Sequence, residues 1–577
     1  MASDGIGPSP RSSPGTPGDP SVGTPGGPDV ETVARLLERR SEDDRPALIF
    51  EEEQWSWRQV VAEARARAGL LTRYRADGRV HLGVLLDNTA EYVFLLAGAA
   101  LAGATVVGLN PTRRGDELAR DVRSTDCVLV VTDTGHRALL DGLDLGPVHD
   151  RVLETDTVDY RTLVDEGARV AATSPRPVPT PDDLYLLVFT SGSTGTPKAV
   201  RMSQGRAARA ALRMPFRPDD VLYLAMPLFH GNALSSSLFP WIASGARLAL
   251  RRRFSASGFL PDVRRYGATF MNTVGRAVAH ILATDPTVHD RDHRLKYVLG
   301  PETSATDKSE FTRRFGVPLI EGYGSSEGAI VLHPVGDDRP GALGRLPKGA
   351  EAKVVDPGTG EERATADFDA RGRLTNPAEA IGELIGRSPH SAFEGYYKNP
   401  EAEAERIRDG WYWSGDLAYR DADGVFYFAG RSGDWLRVDS ENFTAAPIER
   451  ILGRCPGLRG VAVYAVPDAR TGDQVMAALE FDDPASFDPD HFAAFLDDQP
   501  DLGTKWAPRY LRMVRTLPVT GTDKMDKAPL RAEQWSSSDP YWERRDRSST
   551  YTRMTPDDVA ALRAEFAANG RDGLLSG

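Results

Sequence analysis

Seven short apolar runs, separated by longer stretches of helical periodicity, constrain this chain more than any other feature of its sequence. They are Val80 to Leu86, Cys127 to Thr132, Leu184 to Phe189, Val221 to Ala225, Arg247 to Leu250, Phe270 to Thr273 and Tyr297 to Leu299. Strand, helix, strand at that spacing is the pattern of α/β layers. Later the pattern changes: Gly424 to Val438 and Gly460 to Asp468 read as shorter strands around turns, with a helix from Pro447 to Leu452. A small α+β domain is therefore expected to begin near Asp434. The length agrees, because 577 residues exceed the roughly 250–300 at which one core stops growing. The expectation is an α/β protein with a large N-terminal domain of layered sheets and helices, residues 31–433, and a small α+β C-terminal domain, residues 434–545.

Two segments flank these domains. Residues 1–30 are Pro, Gly and Ser without an apolar core, which predicts a disordered tail and no signal peptide. Residues 546–577 form an extension whose helix signals are explicit. Thr555 can cap it, Pro556 suits its first position, Asp557 and Asp558 favour the positive end of its dipole, and Gly570 follows its last turn. Val559, Leu562 and Phe566 then share a face, so the helix is expected to dock on another domain.

Tyr92 to Leu109, rich in Gly and Ala, reaches the length of a membrane span. Its second part turns β-branched at Thr105 to Val107 and Gly103 interrupts it, so it reads as a buried helix, a turn and a buried strand, with no integral membrane segment. The net charge of -13 argues against nucleic-acid binding. The basic cluster Arg251 to Arg253 reads as a solvated strand end. Cys127 and Cys455 are too few for a disulfide framework or a zinc site, which fits a reducing cytoplasm.

The most informative stretch is "LVFTSGSTGTPKAV", Leu187 to Val200. A strand runs into Thr190, Ser191, Gly192, Ser193, Thr194 and Gly195, and Lys198 follows two residues after Thr196. Hydroxyls and glycines permit a tight backbone around phosphate oxygens, and Lys198 adds a cation. Such composition also occurs in plain linkers. A Walker loop is excluded, since Pro197 and Ala199 stand where it needs glycine and a hydroxyl. A strand, Ala199 to Met202, should follow, with Ser203 capping the next helix.

The order of residues resembles the phosphate-binding signature of the adenylate-forming superfamily, the acyl-CoA synthetases, luciferases and peptide-synthetase adenylation domains. Further pieces follow in register. "PLFHGNA" resembles the family's aromatic-histidine pair at the carboxylate pocket, and "GYGSSEG" its YGxTE. "GWYWSGDLAYRDADGVFYFAGRSGDW" resembles its ribose segment. The "TGTDK" stretch resembles the very-long-chain acyl-CoA synthetase and fatty-acid-transport-protein branch and its actinobacterial relatives.

The resemblance implies ATP, magnesium and coenzyme A. It assigns the phosphates to residues 190–198 with Ser326, magnesium to Glu327 and Thr194, and adenine to Gly300, Pro301, Glu302, Gly322, Tyr323 and Gly324. Asp416 and Arg431 go to the ribose, and Phe229, His230 and Asn272 to the acid pocket, with Leu234 and Ile330 nearby. Asp434 becomes the hinge of a mobile C-terminal domain, and Lys524 the lysine on the acid and the α-phosphate. Lys527 is then the surface residue of the pair.

Three departures stand out. Arg437 and Ser440 replace the lysine and glycine usual before Glu441 in the acceptor loop, Asp523 precedes Lys524, and Glu302 replaces a small residue. They leave two reactions open: acid activation with transfer to coenzyme A, or ATP-dependent activation of nitrite for an arylamine in natural-product biosynthesis. A non-catalytic nucleotide- or acyl-binding relative is the third reading, and the complete set Lys198, Glu327, Asp416, Arg431 and Lys524 argues against it.

Overall fold

The computed structural model describes residues 31–575 apart from 76–77, 175–177, 191–197, 302, 304, 336–338, 340–341, 369–373, 388–392, 432–434, 439–440, 482, 484–486, 500–501, 504, 519–526 and 546–549. The first segment, residues 1–30, lies outside the described residues. All seven apolar runs form strands, and they sort into two sheets.

One sheet has the order Val152–Glu154, Leu129–Thr132, His81–Leu85, Thr105–Gly108, Leu184–Thr190, Lys198–Ser203. Its pairs are parallel except the last, where Leu184–Thr190 and Lys198–Ser203 run antiparallel with Thr190 opposite Lys198. The other runs Leu319–Ile320, Tyr297–Leu299, Phe270–Asn272, Val221–Leu224, Arg247–Leu250, Pro46–Phe50, Glu53–Ser56. Again only the terminal pair is antiparallel.

The helix Ala90–Ala102 is buried along nearly its whole length, and its apolar cluster takes Leu82, Val106 and Leu186 from the first sheet and Leu222, Leu248 and Phe270 from the second. It fills the space between the two sheets. Its small residues have a steric cause: a Cβ on Gly98 would lie 2.7 Å from Arg67 Cβ and 2.8 Å from Ala64 O, because helix Trp57–Thr72 crosses there. Gly103, at φ +65°, ends the helix, and Thr105–Gly108 follows as a strand. Among the described residues no helix is long and apolar enough to cross a membrane.

A third sheet is antiparallel, ordered Ala342–Arg345, Val425–Arg431, Trp411–Arg420, Gly382–Arg387, Glu351–Val355. The fourth comprises Leu458–Pro467, Asp473–Phe481, Tyr510–Met513, Tyr541–Glu543 and Thr552–Arg553. Helix Ala445–Leu452, two residues longer at its start than the sequence suggested, buries Ile448, Ile451 and Leu452 against it. Full burial of each such side chain contributes on the order of 1.5–3 kcal/mol.

The C-terminal extension completes this fourth sheet. Thr552–Arg553 is its last strand, and helix Pro556–Ala568, capped by Thr555 as expected, buries Phe566 beside Tyr464, Tyr510 and Trp535. Phe566, with Val559 and Leu562 partly buried around it, packs on residues of this fourth sheet, which the extension itself extends. Cys127 and Cys455 are free and buried.

Candidate functional site

Parallel strands deliver their side chains at their carboxyl ends. Leu224, Asn272, Leu299 and Ile320 are neighbours in register across the second sheet, so the segments after them open onto one edge. That edge is where open α/β sheets bind ligands. It receives Phe229 and His230, Asn272, Gly300 and Pro301, and Gly322 to Glu327.

Gly322 lies over this edge, a Cβ there meeting Leu299 Cδ1 at 3.8 Å. Gly300 N donates to Ile320 O at 2.9 Å, its carbonyl accepts from Thr303 Oγ1 at 2.7 Å, and Pro301 O accepts from Gly275 N at 3.0 Å. Tyr323 and Gly324 then pair with Leu332 and Val331 in a two-stranded ribbon. The Tyr323 hydroxyl donates to Asp416 Oδ2 at 2.6 Å, and Asp416 is the register partner of Arg431 across the third sheet. Asp416 and Arg431, which the sequence resemblance assigned to a ribose, thus stand side by side in backbone terms. Burial pushes the carboxyl of Glu321, next to Gly322, up to about 7, against the opposing pull of Lys308.

Glu327 is the centre of the arrangement. It is 9% exposed, and its Oε1 accepts from Thr190 Oγ1 at 3.4 Å and from the Tyr396 hydroxyl at 3.1 Å. Thr190 ends one strand of the first sheet, and its register partner Lys198 begins the next, so the segment between them, residues 191–197, joins two paired residues. Lys198 is buried, its Nζ 3.3 Å from Glu405 Oε2 and 5.4 Å from the centre of the Tyr396 ring. Burial first, and Glu327 second, raise the Tyr396 phenol far above its usual range. Burial opposes the charge of Arg406, but the surrounding Tyr412, Tyr396, Glu327 and Glu383 outweigh it and raise the guanidinium.

Ser203 caps helix Gln204–Ala211 as expected, accepting from Arg206 N at 3.1 Å. Its own N–H and hydroxyl both donate to Glu394, each at 2.6 Å. Arg206 then reaches Ser326, donating to its carbonyl at 2.6 Å.

The Phe229 and His230 rings are 4.5 Å apart, and Gly231 packs under Ser326, a Cβ there meeting Ser326 Oγ at 3.2 Å. The chain continues through a short helix, Gly231–Ala233, into a π-helical turn, Leu234–Leu238, a form frequent at functional sites. Asn272 is fully buried. Its Nδ2 donates to Asn232 O at 3.3 Å and its Oδ1 has no hydrogen-bond partner. Leu234 is buried in the core between the two α/β sheets, whereas Ile330 packs in the third sheet against Gly386.

Ser191, Gly192, Ser193, Thr194, Gly195, Glu302, Asp434, Ser440 and Lys524 lie outside the described residues. Arg437 and Glu441 are described only as backbone, paired with Asn442 and Val438 in a hairpin. Lys527 needs a correction. Its side chain is 11% exposed and its Nζ is 2.8 Å from Glu449 Oε1, so it is a largely covered ion-pair residue and not a solvated surface lysine. The basic cluster is also more structured than a solvated strand end: Arg251 pairs with Asp262, Arg252 with Glu51 and Arg253 with Asp87.

The family model described as AMP-binding enzyme matches residues 37–397. A steroid-22-oyl-CoA synthetase of Rhodococcus jostii is 52% identical over 553 residues, 94% of this chain and 99% of that protein. A medium/long-chain-fatty-acid–CoA ligase of Mycobacterium tuberculosis is 43% identical over 521 residues, 89% of this chain and 98% of that protein. Among solved structures, an amide bond synthetase from Marinactinospora thermotolerans superposes with a TM-score of 0.72 at 25% identity, covering 87% of this chain and all of that one.

Proposed function

The chain belongs to the AMP-binding enzyme family, and on that premise we propose that it is an AMP-forming acid–CoA ligase. A carboxylate oxygen of the acid attacks the α-phosphorus of ATP, the bond to the β-phosphate oxygen breaks, and pyrophosphate leaves. The thiol of coenzyme A then attacks the acyl carbon, gives up its proton, and AMP departs. The observation that carries this reading is the buried Glu327, facing Thr190 and Tyr396 beside Lys198 at the carboxyl edge of the sheets.

The residues suit magnesium. Both hydroxyl bonds to Glu327 fall on Oε1, which leaves a carboxylate oxygen for a hard cation that favours one or two carboxylates, phosphates and water. Glu327 with Thr194 would hold it, and bound there it would shield the charge that builds on the phosphate oxygens. Lys198 and the 190–195 loop hold the β- and γ-phosphates, and Ser326 borders them. Asp416 and Arg431 take the ribose, while Gly300, Pro301, Glu302 and Gly322 to Gly324 border the adenine. His230, Phe229 and Asn272 receive the acid. Such a site acts chiefly by fixed electrostatics in a water-poor pocket.

The N-terminal domain, residues 31–433, binds ATP and acid. The domain of residues 434–545, with its extension, turns about Asp434 to bring in Lys524 for the first step and the loop of Arg437, Ser440 and Glu441 for the second. The relatives' names favour a large lipophilic acid, a steroid acid or a medium- to long-chain fatty acid. Transfer to coenzyme A is favoured by those names over the nitrite alternative.

AMP and pyrophosphate release should be measured with Mg-ATP and each of these acids, with and without coenzyme A, and with nitrite plus an aminobenzoate. Acid-dependent AMP and a thioester are expected. Release with nitrite alone, or with none of the acids, would sink the proposal.

A further inference from the structure

Glu327 sits in the turn Ser325–Gly328, closed by Gly328 N donating to Ser325 O at 2.9 Å. One side of that turn meets Tyr396 and Thr190. The other meets Arg206, a residue in the first turn of an ordinary-looking helix, 120 positions from Ser326 in sequence.

The Arg206 guanidinium holds the turn in two ways. Nη2 donates to Ser326 O at 2.6 Å, immediately before Glu327. Immediately after it, Gly328 has φ +67°, and a Cβ there would lie 2.5 Å from Nη2, 3.2 Å from Cζ and 3.3 Å from Nε. The guanidinium, Nη2 foremost, therefore occupies the space at Gly328 where any other residue would carry a side chain. Both the positive φ and the lack of space call for glycine.

The guanidinium is fixed in turn. Nη1 donates to Arg201 O at 2.7 Å, in the strand that begins at Lys198. That strand is tied to the Tyr396 segment through Arg201 N on Gly395 O at 3.1 Å and Tyr397 N on Ala199 O at 2.8 Å. The helix start is tied there as well, through Ser203 on Glu394. Lys198, Tyr396 and the Glu327 turn are thus joined in one closed frame, and Arg206 is the strut that closes it. Burial lowers the Arg206 guanidinium from its ordinary value, and the nearby carboxylates of Glu394 and Glu327 work against that loss. An arginine remains charged under such conditions, where a lysine would titrate readily.

We propose that Arg206 is a positioning residue for the divalent cation of the adenylation step: it fixes the backbone on both sides of Glu327 and leaves the carboxylate free to face the metal and the phosphates. This rests on the ATP-activation reading above. A group that orients a metal-binding side chain typically changes metal affinity by about 10- to 100-fold when removed.

The test compares wild type with Arg206→Met, Arg206→Lys and Gly328→Ala in the full-length protein. Binding of manganese(II) in the presence of a non-hydrolysable ATP analogue is followed by the electron-spin signal of the free ion. The magnesium concentration for half-maximal AMP formation is measured alongside. Arg206→Met should weaken manganese binding by about 10- to 100-fold and raise the magnesium requirement similarly. Arg206→Lys should recover part of the loss, since one donor can still reach Ser326 O. Gly328→Ala, which displaces the guanidinium without removing it, should move both readouts in the same direction, and it carries the test should Arg206→Met fail to fold. Folded variants that bind manganese as wild type does would overturn the proposal, even if they were less stable or turned over more slowly. A wild type that binds no manganese with the analogue would overturn the activation reading itself, and this inference with it.

Discussion

The two ends of the proposed site are built in opposite ways. At the phosphate end the polar groups are bonded to one another: Glu327 to Thr190 and Tyr396, Arg206 to Arg201 and Ser326, and Ser203 twice to Glu394. At the acid end, polar atoms are left over. Asn272 Oδ1 and the Tyr92 hydroxyl are buried and have no hydrogen-bond partner, and Tyr92 lies where Gly108 meets Phe229, its oxygen 3.3 Å from a Cβ placed on that glycine. A buried polar atom without a partner costs free energy unless a ligand or water supplies one. A closed network selects one geometry, which suits the step that is the same for every acid. Unsatisfied groups belong where the substrate changes.

The sharpest way to break this comparison is at Glu327. Glu327→Gln keeps the shape and both incoming hydroxyl bonds but removes the charge. AMP formation should fall on the order of 10²- to 10³-fold, as for the loss of a preorganised electrostatic group. The measurement is pyrophosphate release at saturating magnesium. A fall of less than tenfold would mean that the closed network serves stability and not catalysis.

How much of this was legible in the sequence follows the same division. The apolar runs showed seven strands of the two α/β sheets because parallel strands buried on both faces are apolar throughout, while Pro46–Phe50 and the very short Val152–Glu154 and Leu319–Ile320 were not read. Glu53–Ser56 has no such run and was missed: it is an exposed edge strand, paired only with Pro46–Phe50. The motifs named Thr190, Lys198, Glu327 and Asp416, and the fold brings the first three together and sets Asp416 against Tyr323. Arg206, Tyr396, Glu394, Glu405 and Arg406 were not read. Each is one polar residue in an ordinary segment, and its partner is distant: 120 positions for Arg206 and Ser326, 69 for Tyr396 and Glu327, 207 for Lys198 and Glu405. No local periodicity encodes such pairs. Only Gly328, a glycine directly after the Glu327 motif, carried a local trace of Arg206. Lys527 was misread for the same reason, since Glu449 lies on a helix far upstream.

Glu321, next to Gly322 of the proposed adenine wall, gives the next largest effect. Its carboxyl is raised to about 7 in the folded protein by burial. Below the unfolded value near 4.3 both states are protonated and stability is unaffected. Between there and pH 7 the unfolded chain loses the proton first, so stability falls as pH rises and levels off above 7. The loss is about 4 kcal/mol over the whole window, of which about 2.5 kcal/mol falls between pH 5 and pH 8. Urea unfolding at pH 5 and pH 8 should show that fall in wild type and a smaller one in Glu321→Gln. Equal falls in both would place the titration elsewhere.

Asn272 tests the open end. Asn272→Leu removes the orphan oxygen but also the donor to Asn232 O, so a stability cost of about 1–3 kcal/mol for the acceptor left behind is expected alongside the change in the pocket. Activity with acids bearing a hydroxyl near the carboxylate should fall relative to plain alkyl acids by about tenfold, the scale of one hydrogen bond. The readout is the ratio of kcat/KM for matched pairs of acids. An unchanged ratio would move Asn272 from the substrate pocket to the scaffold, and the contrast between the two ends would then rest on Tyr92 alone.

The smallest effect probes a loose contact at the closed end. Lys198 is 2% exposed in its side chain, but its partner Glu405 is 52% exposed. A pair with one half in solvent contributes about 0–1 kcal/mol, because water and salt screen it. A triphosphate carries more charge than one carboxylate, so if Lys198 binds the phosphates as proposed, Glu405 is a weak competitor expected to yield it when ATP arrives. Glu405→Gln should therefore lower the KM for ATP by about two- to fivefold with little change in kcat, and the gain should shrink at high ionic strength. A rise in KM would reverse the assignment. Glu405 would then be steering Lys198 toward the phosphates, and the closed network would reach one residue further than the bonds around Glu327.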